Sequence, residues 1–383
     1  MYLLPKPKTI KEQDGQMLLC HSTHIVMTKE VAETEMHAAK RLQEAIRQET
    51  GLILPFSVGE VREGDLSLGI AKTLPEQTYE ITIDEKGGQI SGGDGAGVLY
   101  GVETFCQIVQ QCGGILPCVQ IQDAPDMPNR GYYFDQTRGR VLKLEELKKI
   151  ADRMCRYKLN QLQLYVEHTY LFRDFSEMWR DQTPLTAEEI RELDSYCRER
   201  HIELVPSLAS FGHLCTLLST KTYGDLCEME DSWKEPFSFW NRMRYHTINV
   251  SDERSLPLIK KMIAEYMQLF SSNKFNICAD ETFCLGKYKS KKLAEERGVH
   301  RLYIDYVKEL AQFLVENGKI PMFWGDIIWN SPELMKELPE SMICLNWGYA
   351  PEQREDETRA IAQTGAVQYL CPGVCGWNQW ANL

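Results

Sequence analysis

The chain has 383 residues, 43% hydrophobic and 26% charged, which suits a folded protein of two ordinary domains and excludes a disordered or fibrous one. With 55 acidic against 43 basic residues the formal charge is −12, so the average surface repels phosphate backbones and anionic lipid, and nucleic acid is not an expected partner. The N-terminus carries Pro5, Pro7 and the lysines Lys6, Lys8 and Lys11 but no apolar core of signal-peptide length, and no later run is long enough to span a membrane. A cytoplasmic protein without a membrane partner is expected. The 13 cysteines form no C-x-x-C pair, so packed thiols in a reducing compartment are expected, not disulfides or zinc.

Residues 1–123 read as a small α/β domain. Short apolar or alternating runs at 17–20, 53–58, 66–71 and 79–83, bounded by Gly, Pro and charged clusters, predict strands. The charged stretch 31–50, with Met36, Leu42 and Ile46 at helical spacing and Gly51 just past its end, predicts one helix. A second helix starts near Gly97 and continues through Leu99, Val102, Phe105, Ile108 and Val109. Pro125 and Pro128 then make residues 123–129 an extended linker.

Residues 124–383 alternate strand and helix, the mark of a parallel sheet wrapped by helices. Strands are predicted at 131–135, 161–166, 202–206, 274–279, 320–324, 342–346 and 366–371. Between them lie a helix carrying Leu144, Leu147, Ala151 and Met154, another opened by the capping box Thr186/Glu189, one with Pro257 in its first turn, and one over 302–315. Polar and aromatic residues gather at the strands' carboxyl ends, which favours a (β/α)8 TIM-type barrel, lacking its last strand, over a doubly wound sheet. An open barrel would expose a strand edge and apolar surface, favouring a homo-oligomer or a longer natural chain.

The carboxyl ends present Asp135 and Arg138, Glu167 and His168, His213, Asp280 and Glu281, Trp324 and Asp326, Trp347, and Trp377 with Asn378. Singly, each has a bland explanation as a salt-bridge partner, a satisfied loop histidine or a packed ring. Their common position at one mouth favours a site. Neighbours on an extended chain point to opposite sides, so Asp280 and Glu281 are poorly placed as the opposed acid and nucleophile of an ordinary retaining glycosidase, which stand about 5 Å apart. A substrate carrying its own nucleophile, a 2-acetamido oxygen, removes that requirement: one acid holds the acetamido N–H and the other protonates the leaving oxygen. Trp324, Trp329, Trp347, Trp377 and Trp380 crowd the final part of the chain. Such rings stack on sugar C–H faces, although Trp329 is expected to pack in the core.

These residues resemble the family-twenty glycoside hydrolases, the β-N-acetylhexosaminidases, over nearly the whole chain. The likeness is carried by Tyr79–Ile83, Ile90-Ser91-Gly92 and Gly97–Phe105, by Arg130-Gly131 through Asp135 and Arg138, by Phe211-Gly212-His213, and by Ala279-Asp280-Glu281. The resemblance implies a retaining exo-enzyme acting on oligosaccharides or glycoconjugates with a terminal β-linked N-acetylhexosamine, without metal or organic cofactor. It implies that Arg130 grips the outer hydroxyls, Asp280 orients the acetamido group, Glu281 is general acid then base, and Trp324 and Trp347 wall the acetamido pocket. The family has glycine where Ala279 stands, a change that ordinary backbone angles would tolerate. Its seventh-strand tyrosine is replaced by the stretch holding Trp377 and Asn378. Two other readings remain: an N-acetylhexosamine-binding protein impaired in catalysis by its truncated barrel, and a two-carboxylate β-glycosidase pairing Glu281 with Glu167 or Asp326.

Overall fold

The computed structural model describes residues 1–374 apart from 237, 351 and 353, so Trp377 and Asn378 lie outside the described residues. The N-terminal strands are β1 (Thr9–Leu18), β2 (Ile25–Met27), β3 (Phe56–Val58), β4 (Leu66–Ile70), β5 (Tyr79–Asp84), β6 (Gly87–Gly92) and β7 (Ile115–Asp123). They form one mixed sheet in the order β1-β7-β5-β6-β4-β2-β3. In β5 the alternation is clear: Tyr79, Ile81 and Ile83 are buried and the residues between them are not. The helix Gly95–Cys112 packs on this sheet. Asp94 caps it, accepting the N–H of Gly97 at 2.8 Å, which starts the helix earlier than predicted. Gly97 is needed because a Cβ there would meet the Thr78 carbonyl oxygen at 2.2 Å.

The single helix expected over 31–50 is two, Lys29–Thr34 and Met36–Thr50. The break is at Glu35 (φ −120°), whose carboxylate lies 2.8 Å from His201 Nε2 and whose N–H closes the first helix on the Val31 carbonyl. Residues 9–16 of β1 lie outside the predicted strand, because apart from Ile10 and Gly15 their side chains are polar, most are exposed, and they carry no alternation to read.

The second sheet is the barrel wall. Its strands are β8 (Gly131–Asp135), β9 (Gln161–Val166), β10 (Glu203–Leu208), β11 (Lys274–Asn276), β12 (Ile320–Trp324), β13 (Ile343–Gly348) and β14 (Val367–Pro372). They neighbour one another in chain order, and the pairings from β10 to β14 are parallel. With a helix or helical insertion between successive strands, this is a (β/α)8-type barrel sheet one strand short among the described residues. The capping box forms as expected: Thr186 Oγ1 accepts from Glu189 N at 3.2 Å and Glu189 Oε2 accepts from Thr186 N at 2.8 Å. On β14, Val367 and Leu370 are exposed.

Residues Met1–Tyr132, Glu145–Leu162 and Ser195–Glu203 pack as one compact unit, and the remaining residues as a second. Every described cysteine is a free thiol. No helix among the described residues is long and apolar enough to cross a membrane.

Candidate functional site

The segment after β11 does not continue as strand. Cys278, Ala279 and Glu281 adopt left-handed φ values of 58°, 63° and 48°, so the predicted strand 274–279 stops at Asn276. Each such residue costs on the order of 1–2 kcal/mol unless its surroundings hold it. They do. Cys278 N–H donates to Asn276 Oδ1 (2.8 Å), the Cys278 carbonyl accepts from Trp324 N (2.9 Å), the Ala279 carbonyl accepts from Tyr303 Oη (3.0 Å), and Glu281 N–H donates to Asp326 Oδ2 (3.0 Å). Gly212 lies against this segment, where a Cβ would stand 2.5 Å from the Asp280 carbonyl oxygen.

That curl corrects the expectation that the two acids diverge. Asp280 Oδ2 and Glu281 Oε2 both lie 3.3 Å from His213 Nε2, because strand alternation does not apply to left-handed backbone. It also corrects the expectation of ordinary angles at Ala279, whose φ of 63° is the conformation glycine takes without penalty. An Ala279→Gly variant is therefore expected to be more stable by about 0.5 kcal/mol, the relieved strain exceeding glycine's greater chain entropy. Denaturant unfolding at fixed pH measures it.

His213 is held by its neighbours: Phe211 stacks on Tyr303 with ring centroids 5.6 Å apart, and Leu214 N–H donates to the His246 carbonyl at 3.0 Å. His213 is 3% exposed, and its Nδ1 is sealed without a hydrogen-bond partner among the described residues. Burial works against its charged form, yet the Asp280 carboxylate and the hydrogen bonds to both acids outweigh it and raise its pKa to about 10. Conversely, burial works to raise the pKa of Asp280, but His213 and then Arg138 hold it below the usual carboxylate value. Asp326 goes the other way: burial, then the negative charges of Asp280 and Glu281, push it up to about 8. Asp280 and Asp326, two neighbouring carboxyls, are thus pushed in opposite directions, a separation that acid–base chemistry uses.

His213, Asp280 and Glu281 also bring donor atoms within 4.8 Å of one another, the one His/Cys/Asp/Glu grouping among the described residues compact enough for a cation. The imidazolium supplies that positive charge itself, so the group reads as an ion-paired triad.

At the end of β8, Asp135 Oδ1 accepts the N–H groups of Thr137 and Arg138 (2.9 Å each), and Oδ2 accepts from Arg138 Nε (2.6 Å). The Arg138 guanidinium sits 4.7 Å from the centre of the Tyr165 ring. Glu167, at the end of β9 and 3% exposed, accepts from Tyr165 Oη (2.9 Å) and Arg242 Nη2 (3.0 Å).

Arg130 is not part of this cluster. It precedes β8, whereas Asp135 ends that strand. Its guanidinium donates to the carbonyls of Lys158 (2.9 Å) and Met127 (2.7 Å), to Gln77 Oε1 (3.0 Å) and to Tyr100 Oη (3.1 Å). Arg130 clamps backbone, and the arginine at the mouth is Arg138.

Trp324, 7% exposed, meets Tyr133 edge-on with centroids 4.8 Å apart. Trp347 lies two residues beyond the Trp324 level on β13 and faces Tyr349 (5.1 Å) and Trp329 (6.0 Å). Trp329 is therefore half-buried beside Trp347 and not the core residue expected. Sequence patterns did not single out Arg242 or Tyr303. Arg242 comes from the insertion helix Phe239–Arg244, which has no strand-end position to mark it. The two-residue spacing of Tyr165 and Glu167 was readable, since alternate strand residues share a face.

Residues 1–124 match the sequence model described as "Glycosyl hydrolase family 20, domain 2", and residues 128–374 match "Glycosyl hydrolase family 20, catalytic domain". A beta-hexosaminidase of Porphyromonas gingivalis is 24% identical over 411 residues, covering 98% of this chain and 50% of that protein. One from Akkermansia muciniphila is 30% identical over 162 residues, covering 37% of this chain and 33% of that protein. Among solved structures, a beta-N-acetylhexosaminidase from Bacteroides fragilis shares the fold with TM-score 0.78 at 18% identity, over 99% of this chain and 78% of that one. An exo beta-N-acetylglucosaminidase from Vibrio harveyi, in complex with N-acetylglucosamine, gives TM-score 0.79 at 19% identity, over 97% and 60%. The chain spans about half the length of the first curated relatives it matches, 50% and 48%.

Proposed function

The chain belongs to glycoside hydrolase family 20, and from that premise we propose that it is a retaining exo-β-N-acetylhexosaminidase acting on terminal β-linked N-acetylglucosamine or N-acetylgalactosamine of oligosaccharides and glycoconjugates. The observation that carries this reading is the single imidazole nitrogen 3.3 Å from both Asp280 and Glu281. Two acids drawn onto one donor from consecutive chain positions suit a division of tasks in which one steers the substrate's amide and the other protonates the leaving oxygen. That arrangement supports a nucleophile supplied by the substrate.

In the proposed reaction the acetamido oxygen attacks C1 while the glycosidic C–O bond breaks and Glu281 gives its proton to the leaving oxygen. Asp280, kept ionised by His213, holds the acetamido N–H and offsets the positive charge that develops on the oxazolinium ring. Water deprotonated by Glu281 then attacks C1, the ring C–O bond opens, and the β-configuration is restored. Trp324 and Trp347 would wall the acetamido methyl, and Asp135 with Arg138 would meet the outer hydroxyls. The route uses no metal or organic cofactor.

The two-carboxylate alternative is disfavoured by its own candidates. Glu167 is buried and already accepts from Arg242 and Tyr165, and Asp326 is turned onto the Glu281 backbone. Chromogenic β-glycosides of N-acetylglucosamine and of glucose, assayed side by side, test the proposal. Turnover of the first alone is expected. Equal turnover of both favours the two-carboxylate route, and binding of N-acetylglucosamine without turnover favours an impaired binding protein. We also propose a cytoplasmic location, on the strength of the free thiols.

A further inference from the structure

We propose that Asp326 is a positioning residue for the proton donor: its carboxyl keeps a proton on Oδ1 and fixes the Glu281 backbone through Oδ2. This rests on the reaction assigned above to Asp280 and Glu281.

The geometry starts at Glu281, a non-glycine residue with φ 48° whose N–H has one partner, Asp326 Oδ2 at 3.0 Å. Without that acceptor the left-handed turn loses the contact nearest the side chain that must reach the leaving oxygen. The other oxygen, Oδ1, is sealed from water and has no hydrogen-bond partner among the described residues. An ionised oxygen in that position would be a buried charge with no donor, whereas a neutral acid loses far less.

The groups facing Asp326 favour the neutral form. Asp280 and Glu281 come from the segment after β11, and both pair with His213; Tyr303 comes from the helix Val299–Glu316 and Cys344 from β13. The only cation among them is already shared by the first two acids. The Glu281 N–H pulls toward ionisation, but burial and then the Asp280 carboxylate outweigh it, with Glu281 adding to the push whenever it is ionised, and raise the carboxyl to about 8. A neutral Asp326 therefore adds no third negative charge beside Asp280 and Glu281, and gives the strained turn an uncharged anchor.

Asp326→Asn is the decisive variant. Its amide offers an oxygen to the Glu281 N–H and an N–H where the acid carries its proton, and it is uncharged at every pH. Expected kcat for Asp326→Asn at pH 6 is within about threefold of the parent, whereas Asp326→Ala, which removes the anchor, loses about 10²-fold in kcat with little change in KM. Isotope-edited infrared spectra of the parent should show a protonated carboxyl band that disappears as pH rises through about 8 and is missing from Asp326→Asn. Equal losses in Asp326→Asn and Asp326→Ala, a rise in KM alone, or no titrating band would each overturn the proposal. If the parent hydrolyses no N-acetylhexosaminide while the band titrates as described, the reaction assignment fails and the state assigned to Asp326 stands.

Discussion

Replacing Glu281 with Gln is expected to lower kcat by about 10²–10⁴-fold on glycosides with poor leaving groups, and by much less on activated aryl glycosides. The difference follows from what the side chain does. An amide can hold the same position but cannot give a proton to the departing oxygen, and an aryl oxide leaves without one. Glu281 sits on a left-handed turn fixed from Asp326, with its carboxylate 3.3 Å from His213. The variant therefore removes proton transfer and leaves the local fold intact. Steady-state kinetics with a matched pair of leaving groups measures it, and an equal loss on both would assign the proton to another group.

The second large effect is at His213. Its replacement by Ala leaves Asp280 inside the site without its counter-charge, and breaking a buried pair by removing one partner costs about 3–5 kcal/mol. The effect carries a pH signature. His213 titrates near 6.5 when unfolded and about 10 when folded. Its contribution is fully present below pH 6.5 and is lost as pH rises toward 10, because the folded state then gives up a proton that it had bound more tightly than the unfolded chain. Asp280 has the opposite linkage: its folded pKa is depressed, so its contribution is present above the ordinary carboxylate range and lost as pH falls through the folded value. Denaturant unfolding across pH should show the difference between parent and His213→Ala largest between these limits and shrinking toward pH 10. A difference that does not vary with pH would mean that the imidazole packs there as a neutral ring.

The barrel was legible in the sequence because its central strands are apolar and its helices carry their own start signals, as Thr186 with Glu189 does. What escaped was set by long-range contact. The break at Glu35 depends on His201, 166 positions away, and no local pattern announces it. Residues 9–16 of β1 are mostly exposed and polar, so they show no hydrophobic alternation. In the site, strand-end acids and aromatics stood out by type and position, but the backbone conformation between Asn276 and Glu281 did not. The apolar run Phe275–Ala279 looks like strand throughout, and only the pull of Asn276, Trp324, Tyr303 and Asp326 on the chain reveals the turn. Arg130 and Arg138 show the same limit: both flank one strand, and only its direction decides which of them reaches the mouth. Arg242, delivered by the insertion helix, had no signal at all.

The role of the substrate's own amide is read most directly from substrates that differ only in the number of fluorine atoms on the N-acetyl group. Each fluorine withdraws electrons from the acetamido oxygen and weakens it as a nucleophile while leaving the sugar's shape nearly unchanged. If that oxygen attacks C1 while Asp280 steers it, kcat/KM falls steeply from acetyl to trifluoroacetyl. A rate indifferent to fluorination would mean that an enzyme carboxylate or a water molecule attacks instead.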